Sequence, residues 1–311
     1  MPDEPPTRHD IDERDIDVLI PTCDRPAELA VTLAGLAAQD GGFGVVVSDQ
    51  SDGIPVWEHG AVAGMVRILR HQGHPVRLYR NLPRRGVAEQ RAYLLDRSRA
   101  RYVLFLDDDV WLEAGSVRRM RTAIEELGCG FVGNFPHGLS FVDDHRPEQE
   151  KAYREWTGRP YPERIRPRGP HWQRANLHAA ANLLHVQQRL HLEPGQWRAY
   201  KVAWLGACVL YDRAVLVATG GYDFWSRVPA DSVGEDVAAQ LRVLALAGAA
   251  GIIPSGAYHL ESPTTLPRRG MECFDDPLVA EQIGAVALPG SEQIASGLDD
   301  LGDRDVGDER G

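Results

Sequence analysis

The sequence contains no hydrophobic run long enough to cross a membrane. Its longest apolar stretch, residues 243–253, has eleven residues and is interrupted by Gly248 and Gly251, whereas a membrane helix needs about 20 apolar residues. The first 15 residues are acidic and rich in proline, unlike the basic start and apolar stretch of a secretory signal peptide. We therefore expect a cytoplasmic protein without a transmembrane segment.

Cysteine and net positive charge are scarce as well. The four cysteines lie far apart with no CxxC pair, which argues against a disulfide framework and against a structural zinc site. The formal net charge of −11 comes mainly from residues 1–17 and 291–311, which carry −5 each. The nearly neutral remainder disfavours nucleic acid as a partner. The acidic ends, residues 1–15 and 290–311, are predicted to be disordered tails.

Strand and helix patterns alternate along most of the 311 residues. Buried strands are predicted at 17–22, 43–47, 76–79, 102–106 and 130–135, with further regular structure at 202–211 and 251–260. Helical patterns begin at Pro26 and at about Glu235, cover 86–98, and end before Gly128. This alternation predicts an α/β fold with a mostly parallel central sheet. Such sheets bind ligands beyond the carboxyl ends of their strands.

Three adjacent carboxylates, Asp107 to Asp109, directly follow the apolar strand 102–106. Burying them together without a cation is costly because they repel one another, and a hard divalent cation such as Mg²⁺ or Mn²⁺ relieves that repulsion. In an extended segment, residues two apart point the same way. Asp107 and Asp109 are therefore expected to share one ligand while Asp108 faces elsewhere. A solvated acidic turn is the weaker alternative at the edge of a sheet.

A second carboxylate pair, Glu235 and Asp236, stands at the start of a predicted helix. Ser232 to Glu235 form an S-x-x-E pattern, which is typical of a helix capping box, and acids also suit a helix N-terminus. A purely structural role therefore explains Glu235. Because one acid suffices for a capping box, this role does not explain Asp236. A carboxylate within reach of a hydroxyl group can remove its proton.

Residues 137–200 are rich in Pro, Arg, His and Trp and show no clean period. His171, His178 and His185 recur every seven residues, whereas metal-binding histidines on one helix usually stand four apart. We therefore favour a solvated or acceptor-facing surface over a zinc site.

Six short segments occur in an order and spacing that resemble one enzyme family. They are VLIPTCDRP (18–26), VVVSDQSDG (45–53), RRGVAEQR (84–91), FLDDDV (105–110), GGYD (220–223) and GED (234–236). The chain is thus similar to family 2 glycosyltransferases, which have the nucleotide-sugar-binding fold called GT-A, a Rossmann-like sandwich. The resemblance divides the chain into a nucleotide-sugar-binding half at 16–136, a variable acceptor segment at 137–200, and an acceptor-binding and catalytic half at 201–289.

The resemblance implies a donor site at three strand ends. It assigns nucleotide-sugar binding to Pro21, Thr22, Arg25, Asp49, Arg91, Asp107 and Asp108. Among these, Asp49 would meet the base and Asp107 the ribose or the sugar, while Asp109 would hold Mn²⁺ or Mg²⁺ on the diphosphate. The family often has an aromatic residue at the position of Cys23, where it can stack on the base. Cysteine stacks poorly, which leaves the identity of the base open.

The resemblance also implies catalytic and acceptor residues. Asp236 would be the general base, and Glu235 an acceptor ligand or a cap. His259 would bind the metal or the diphosphate, with ordinary polar packing as the alternative.

The remaining assignments have equally ordinary alternatives. Arg268 and Arg269 would close over the leaving diphosphate as a lid, unless they belong to a solvated loop. Trp204 and Gly206 sit where the family places acceptor residues, although a buried tryptophan more often belongs to the core.

Together these features predict a metal-dependent glycosyltransferase of the hexosyltransferase type, and the resemblance implies that it acts with inversion. The donor is expected to be a UDP-sugar, with dTDP- and GDP-sugars open, and the acceptor an intracellular small molecule, glycan or peptide. Transfer should be non-processive because the QxxRW motif is missing. Alternatives are a sugar-nucleotidyltransferase, although residues 21–26 lack a Gly-rich loop with a lysine, or an inactive nucleotide- or glycan-binding protein. A dinucleotide dehydrogenase is poorly supported because no GxGxxG follows a strand.

Overall fold

A computed structural model describes residues 15–265 and 269–286. Its strands are β1 (Ile16–Thr22), β2 (Gly44–Asp49), β3 (Val76–Arg80), β4 (Tyr102–Leu106), β5 (Val110–Leu112), β6 (Phe131–Gly133), β7 (Arg198–Tyr200), β8 (Cys208–Asp212), β9 (Ala249–Ile253) and β10 (Ala257–His259). Its α-helices are α1 (Pro26–Ala37), α2 (Gly60–His71), α3 (Val87–Asp96), α4 (Ser116–Leu127), α5 (Pro147–Glu150), α6 (Asn182–Leu190), α7 (Arg213–Ala218), α8 (Glu235–Ala247) and α9 (Pro277–Ala285).

Eight strands form a central sheet in the order β3-β2-β1-β4-β8-β6-β9-β7. β7 and β8 run against the other six strands, which confirms the predicted mostly parallel sheet. Successive side chains of the central strands enter different cores: Leu19 and Phe105 lie in one, and Ile20 and Leu104 in the other. α1, α2 and α4 contribute to one core, and α3, α8 and α9 to the other. The sheet is therefore enclosed by helices on both faces.

The winding of the sheet places a crevice at the ends of β1 and β4. The chain builds β2 and β3 on one side of β1 and then continues with β4 on the other side. In open α/β sheets, such a reversal leaves a ligand-binding crevice at the carboxyl ends of the two strands. The segments that follow β1 and β4, residues 22–25 and 107–109, therefore meet there.

A second, two-stranded sheet brings a distant segment to the same place. β5 pairs antiparallel with β10, and His259 lies opposite Val110. The backbone N–H of Leu260 donates to the carbonyl of Asp109 at 2.8 Å. The end of β10 is thereby fixed beside the three aspartates.

Several elements differ from those expected from the sequence. α2 was not predicted, and two glycines in its sequence weaken the helical signal. Residues 137–200 contribute α5, α6 and β7, and the predicted strand 251–260 divides into β9 and β10. The four cysteines are buried and free of disulfides. The two predicted tails, residues 1–15 and 290–311, lie outside the described residues apart from position 15.

Two of the three histidines spaced seven apart, His178 and His185, do not lie on a solvated surface; that they face the acceptor stays a prediction. His178 contacts the hydroxyl of Tyr200 at 3.0 Å and stacks on Phe135, and His185 is buried against Glu150. They lie on two different elements, a 3₁₀ segment and α6, and both elements fold onto the interior. A regular sequence spacing therefore did not place these side chains on one solvated face.

Among the helices of residues 15–265 and 269–286, none has the length and apolar character needed to cross a membrane.

Candidate active site

A cavity of about 390 Å³ opens where β1 and β4 end. Its lining includes ten of the residues expected from the sequence: Pro21, Thr22, Arg25, Arg91, Asp107, Asp108, Asp109, Glu235, His259 and Arg269. Four others lie outside its lining: Asp49, Trp204, Gly206 and Asp236. Arg268 falls outside the described residues. The volume is in the range of small-molecule sites.

Arg25 joins the end of β1 to the aspartate turn. Its guanidinium lies 2.9 Å from a carboxylate oxygen of Asp108 and 2.9 Å from one of Asp109. The hydroxyl of Thr22 donates to Asp108 at 2.7 Å, and the hydroxyl of Thr32 in α1 donates to the Asp108 carbonyl at 2.7 Å. These bonds hold the turn against the start of α1.

The expected alternation of the three aspartates is wrong. Asp108 does not face away: it shares Arg25 with Asp109, while Asp107 pairs with Arg91. The reason is that β4 ends at Leu106 and the next residues form a turn. The two-residue alternation of side chains applies only to extended backbone.

Arg91 connects the aspartate turn with the start of α8. Its Nη2 lies 2.8 Å from Asp107 and its Nε donates to Glu235 at 2.8 Å. Burial alone would lower the pKa of Arg91, but Asp107 and Glu235 outweigh it and raise that pKa well above its ordinary value. Arg91 therefore remains a cation inside the protein.

Burial is the main reason that the pKa values of two aspartates in the turn are raised. Burial raises the pKa of Asp108 from 3.8 to about 7, although Thr22 and Arg25 lower it. Burial and the adjacent Asp107 also raise the pKa of Asp109. A cation bound beside these carboxylates would lower their raised pKa values.

The oxygen atoms that could coordinate a metal ion in this cavity are compatible with a hard divalent cation. Asp107 and Asp109 offer carboxylate oxygens to the same cavity, and Mg²⁺ is usually held by one or two carboxylates together with substrate phosphates. The described residues contain no cluster of three or more His, Cys, Asp or Glu side chains suited to a metal ion.

His259 stands next to Asp109, with its Nε2 3.5 Å from a carboxylate oxygen. Its Nδ1 accepts the backbone N–H of Glu261 at 2.8 Å, so the ring carries its proton on Nε2. In this arrangement the ring donates toward Asp109. Metal ligation by Nε2, which stays a prediction, requires that this proton leave and that the Glu261 bond break.

The start of α8 does not contain the capping box that the sequence suggested. The residue before the helix is Gly234, and the hydroxyl of Ser232 donates to the carbonyl of Pro229. Glu235 instead pairs with Arg91 across 144 positions of sequence. Glu235 is therefore a cavity residue paired with Arg91 and not part of a capping box.

Asp236 lies behind the cavity, beside the two expected acceptor residues. One of its oxygens accepts the N–H of Val237 at 2.8 Å, and the other lies 4.0 Å from the position of a Cβ built on Gly206. The Trp204 ring lies 3.7 Å from the same position. Burial, followed by the charge of Glu235, raises the pKa of Asp236 from 3.8 to about 7.

Asp49 is fully buried at the end of β2, and both of its oxygens are engaged. One accepts from the N–H and hydroxyl of Ser51 at 2.9 and 2.5 Å, and the other from Val56 N–H and Arg80, both at 3.1 Å. The contact with the base that the resemblance implies stays a prediction, and it requires one of these partners to release the carboxylate.

Two glutamines of the site were not found from the sequence. Gln50 lines the cavity, and Gln90 donates to the carbonyls of Thr22 and Ser48 at 2.9 and 2.8 Å, which ties the ends of β1 and β2 together. The sequence signal is the run of three consecutive polar residues, 89–91, within the predicted helix 86–98, and the structure buries all three. Buried polar runs of this kind need partners.

Comparisons with known proteins agree with this architecture. A sequence model described as "Glycosyl transferase family 2" matches residues 17–185. Residues 1–349 of S. aureus TarS superpose with a TM-score of 0.50 at 16% identity, covering 79% of this chain and 60% of that structure. The mannosyltransferase PcManGT from Pyrobaculum calidifontis, in complex with GDP-Man and Mn²⁺, has a TM-score of 0.50 at 15% identity, covering 82% and 59%.

The same TarS fragment in complex with UDP-GlcNAc gives a TM-score of 0.50 at 14% identity, with 89% of this chain and 69% of that structure covered. These likenesses confirm the predicted GT-A fold. No curated protein matches the sequence. The chain spans about 60% of the length of the first two structures.

Proposed function

The chain belongs to glycosyl transferase family 2, and from this premise we propose that it transfers a sugar from a nucleotide-sugar donor to an acceptor hydroxyl. The observation that carries the proposal is the cavity at the ends of β1 and β4, where Arg25 and Arg91 hold the aspartate turn and Glu235 together. Structures with the same fold contain UDP-GlcNAc and GDP-Man, which supports a nucleotide-sugar donor. We favour a UDP-sugar.

The donor would lie along the ends of β1 and β4. Pro21, Thr22 and Asp107 line the cavity; Pro21 and Thr22 would contact the nucleotide, and Asp107 the ribose or sugar. Arg269 lies on the wall formed by the chain that follows β10. Its guanidinium can contact the diphosphate as a charge-assisted donor.

Asp109 would hold a Mn²⁺ or Mg²⁺ ion, with Asp107 and His259 at the same end of the cavity. When bound, the ion neutralises charge that develops on the departing nucleoside diphosphate. Arg25 touches Asp109 at 2.9 Å and would exchange that partner for a phosphate oxygen as the donor enters. A cation bound beside Asp109 would favour the ionised form of these carboxylates and so lower their pKa values.

Asp236 would act as the general base. Its pKa of about 7 suits a group that must take a proton near neutral pH, and one of its oxygens faces Gly206. The acceptor oxygen forms a bond to the anomeric carbon, the bond from that carbon to the diphosphate oxygen breaks, and the acceptor proton passes to Asp236. Attack from the face opposite the leaving group inverts the anomeric centre.

The acceptor would bind on the side of Trp204 and Gly206, where residues 137–200 pack against the sheet. The acceptor is a small molecule, glycan or peptide, and one sugar is added per encounter. The tryptophan side chain is half-buried, and its ring N–H is enclosed without a hydrogen-bond partner among the described residues.

The test is a product assay with the full chain and Mn²⁺. A panel of nucleotide sugars is first ranked by thermal shift, because donor binding stabilises the folded state. We expect slow release of free UDP from a UDP-sugar, faster with an acceptor. Pyrophosphate released from UTP and a sugar phosphate would identify a nucleotidyltransferase instead, and binding without either product would identify an inactive binding protein.

A further inference from the structure

Gln50 lies in the cavity wall, and Glu89 holds its side-chain amide in one orientation. The Gln50 Nε2 donates to a Glu89 oxygen at 2.7 Å, and the Nδ2 of Asn81 donates to the same oxygen at 2.8 Å. All three side chains are at least nine-tenths buried. Glu89 belongs to the first turn of α3, where a carboxylate is favoured by the helix dipole.

The orientation of the amide follows from hydrogen-bond chemistry. A carboxylate oxygen that already receives the Asn81 amide presents only acceptor character, so the NH₂ group of Gln50 must face it. A rotation of the amide by 180° would place two oxygens against each other. The backbone of Gln50 is also fixed, since its N–H donates to the Thr22 carbonyl at 3.0 Å and its carbonyl accepts the Cys23 thiol at 3.2 Å.

The Gln50 amide oxygen therefore points away from Glu89 and is available to a ligand. Within residues 15–265 and 269–286 it accepts no hydrogen bond, and it is not among the fully enclosed polar atoms without a partner. Gln50 lines the cavity although only 1% of the residue is exposed. Its neighbour Asp49 has no spare oxygen, because Ser51, Val56 and Arg80 use both.

We propose that the Gln50 amide oxygen accepts a hydrogen bond from a ring N–H of the donor's nucleobase, and that Glu89 is the positioning residue that fixes this acceptor. The inference rests on the proposed nucleotide-sugar function. Uracil and thymine present N3–H and guanine presents N1–H, whereas cytosine and adenine have an unprotonated ring nitrogen at the corresponding place. The site thus selects bases with a ring N–H, because a buried acceptor facing a lone pair is left unpaired.

The experiment compares the affinities of UDP and CDP, measured by calorimetry with Mn²⁺, for the full chain and three variants. We expect UDP to bind at least tenfold more tightly than CDP to the unmodified protein. Gln50→Met should weaken UDP about tenfold and leave CDP unchanged. Glu89→Gln allows the Gln50 amide to turn, because the new amide can present either an oxygen or an NH₂ group. The affinity for CDP should therefore rise, and the ratio of UDP affinity to CDP affinity should fall severalfold.

Glu58→Gln is the matched control, because it makes the same change of charge at an exposed position near the β2 end. It should leave both affinities unchanged, and thermal unfolding of every variant checks that it is folded. Equal binding of UDP and CDP to the unmodified protein would overturn the inference.

Two other results would also overturn it. If the variants bind UDP and CDP more weakly by the same factor, Gln50 and Glu89 have a merely structural role. If the variants bind both ligands as the unmodified protein does, these two residues do not select the base. In each of these cases the nucleotide-sugar proposal stands. Failure of UDP, dTDP, GDP, CDP and ADP all to bind would instead refute the proposed function, and the inference with it.

Discussion

Replacing Asp108 with asparagine should make the protein less sensitive to alkaline pH. The Asp108 carboxyl has a pKa of about 7 in the folded chain, against about 3.9 for an unfolded aspartate. Between these values the folded state binds more protons than the unfolded state, so the free energy of unfolding falls as pH rises. Asparagine does not ionise and lacks this dependence.

The size of the effect follows from the shift. From pH 5 to the folded pKa near 7, each unit removes about 1.4 kcal/mol of stability, or about 3 kcal/mol in total. The exposed fraction of Asp108 is 5%, so little screening by solvent is expected. The unmodified protein should thus lose about 3 kcal/mol more than Asp108→Asn between pH 5 and pH 8.

Urea unfolding at both pH values, with a chelator present, measures this difference as a change in the midpoint at constant slope. Asp52→Asn, at an exposed position of the adjacent loop, is the control and should follow the unmodified protein. If the unmodified protein and Asp108→Asn lose stability in parallel, the pKa of Asp108 is not raised in the folded protein as we expect.

Three further predictions concern donor binding, chemistry and folding. Asp109→Ala should remove the gain in UDP affinity that Mn²⁺ provides, and an undiminished gain in calorimetry would exclude it as the metal ligand. The Asp236→Asn variant should bind UDP normally, yet its kcat should be lower by a factor of about 10²–10⁴. In the unmodified enzyme kcat should fall as pH drops below about 7, since the base must be ionised. A flat pH profile of kcat would contradict that role. Gly86→Ala should lower the free energy of unfolding by about 2 kcal/mol or more. Gly86 has a φ of 93°, and an added Cβ would lie 2.3 Å from the Ala230 carbonyl oxygen. A denaturation midpoint equal to that of the unmodified protein would refute this prediction.

Much of the sheet could be predicted because its signals are local. β1, β2 and β4 are continuous apolar runs buried on both faces, and such runs, followed by polar clusters, are typical of parallel strands. The aspartate turn after β4 could be assigned to the crevice for the same reason. α2 and the elements of residues 137–200 were missed, since glycine, proline and irregular spacing weaken the helical and strand periods.

The sequence by itself determined the parallel sheet, the edge at which the site forms and the acids of that site. Only the tertiary structure decided how those acids are shared: Arg91 bridges Asp107 and Glu235, and Glu89 orients Gln50. The physical reason is that strand and helix patterns depend on neighbours in sequence, whereas a buried charge or amide takes whichever partner the packing of distant elements brings within 3 Å.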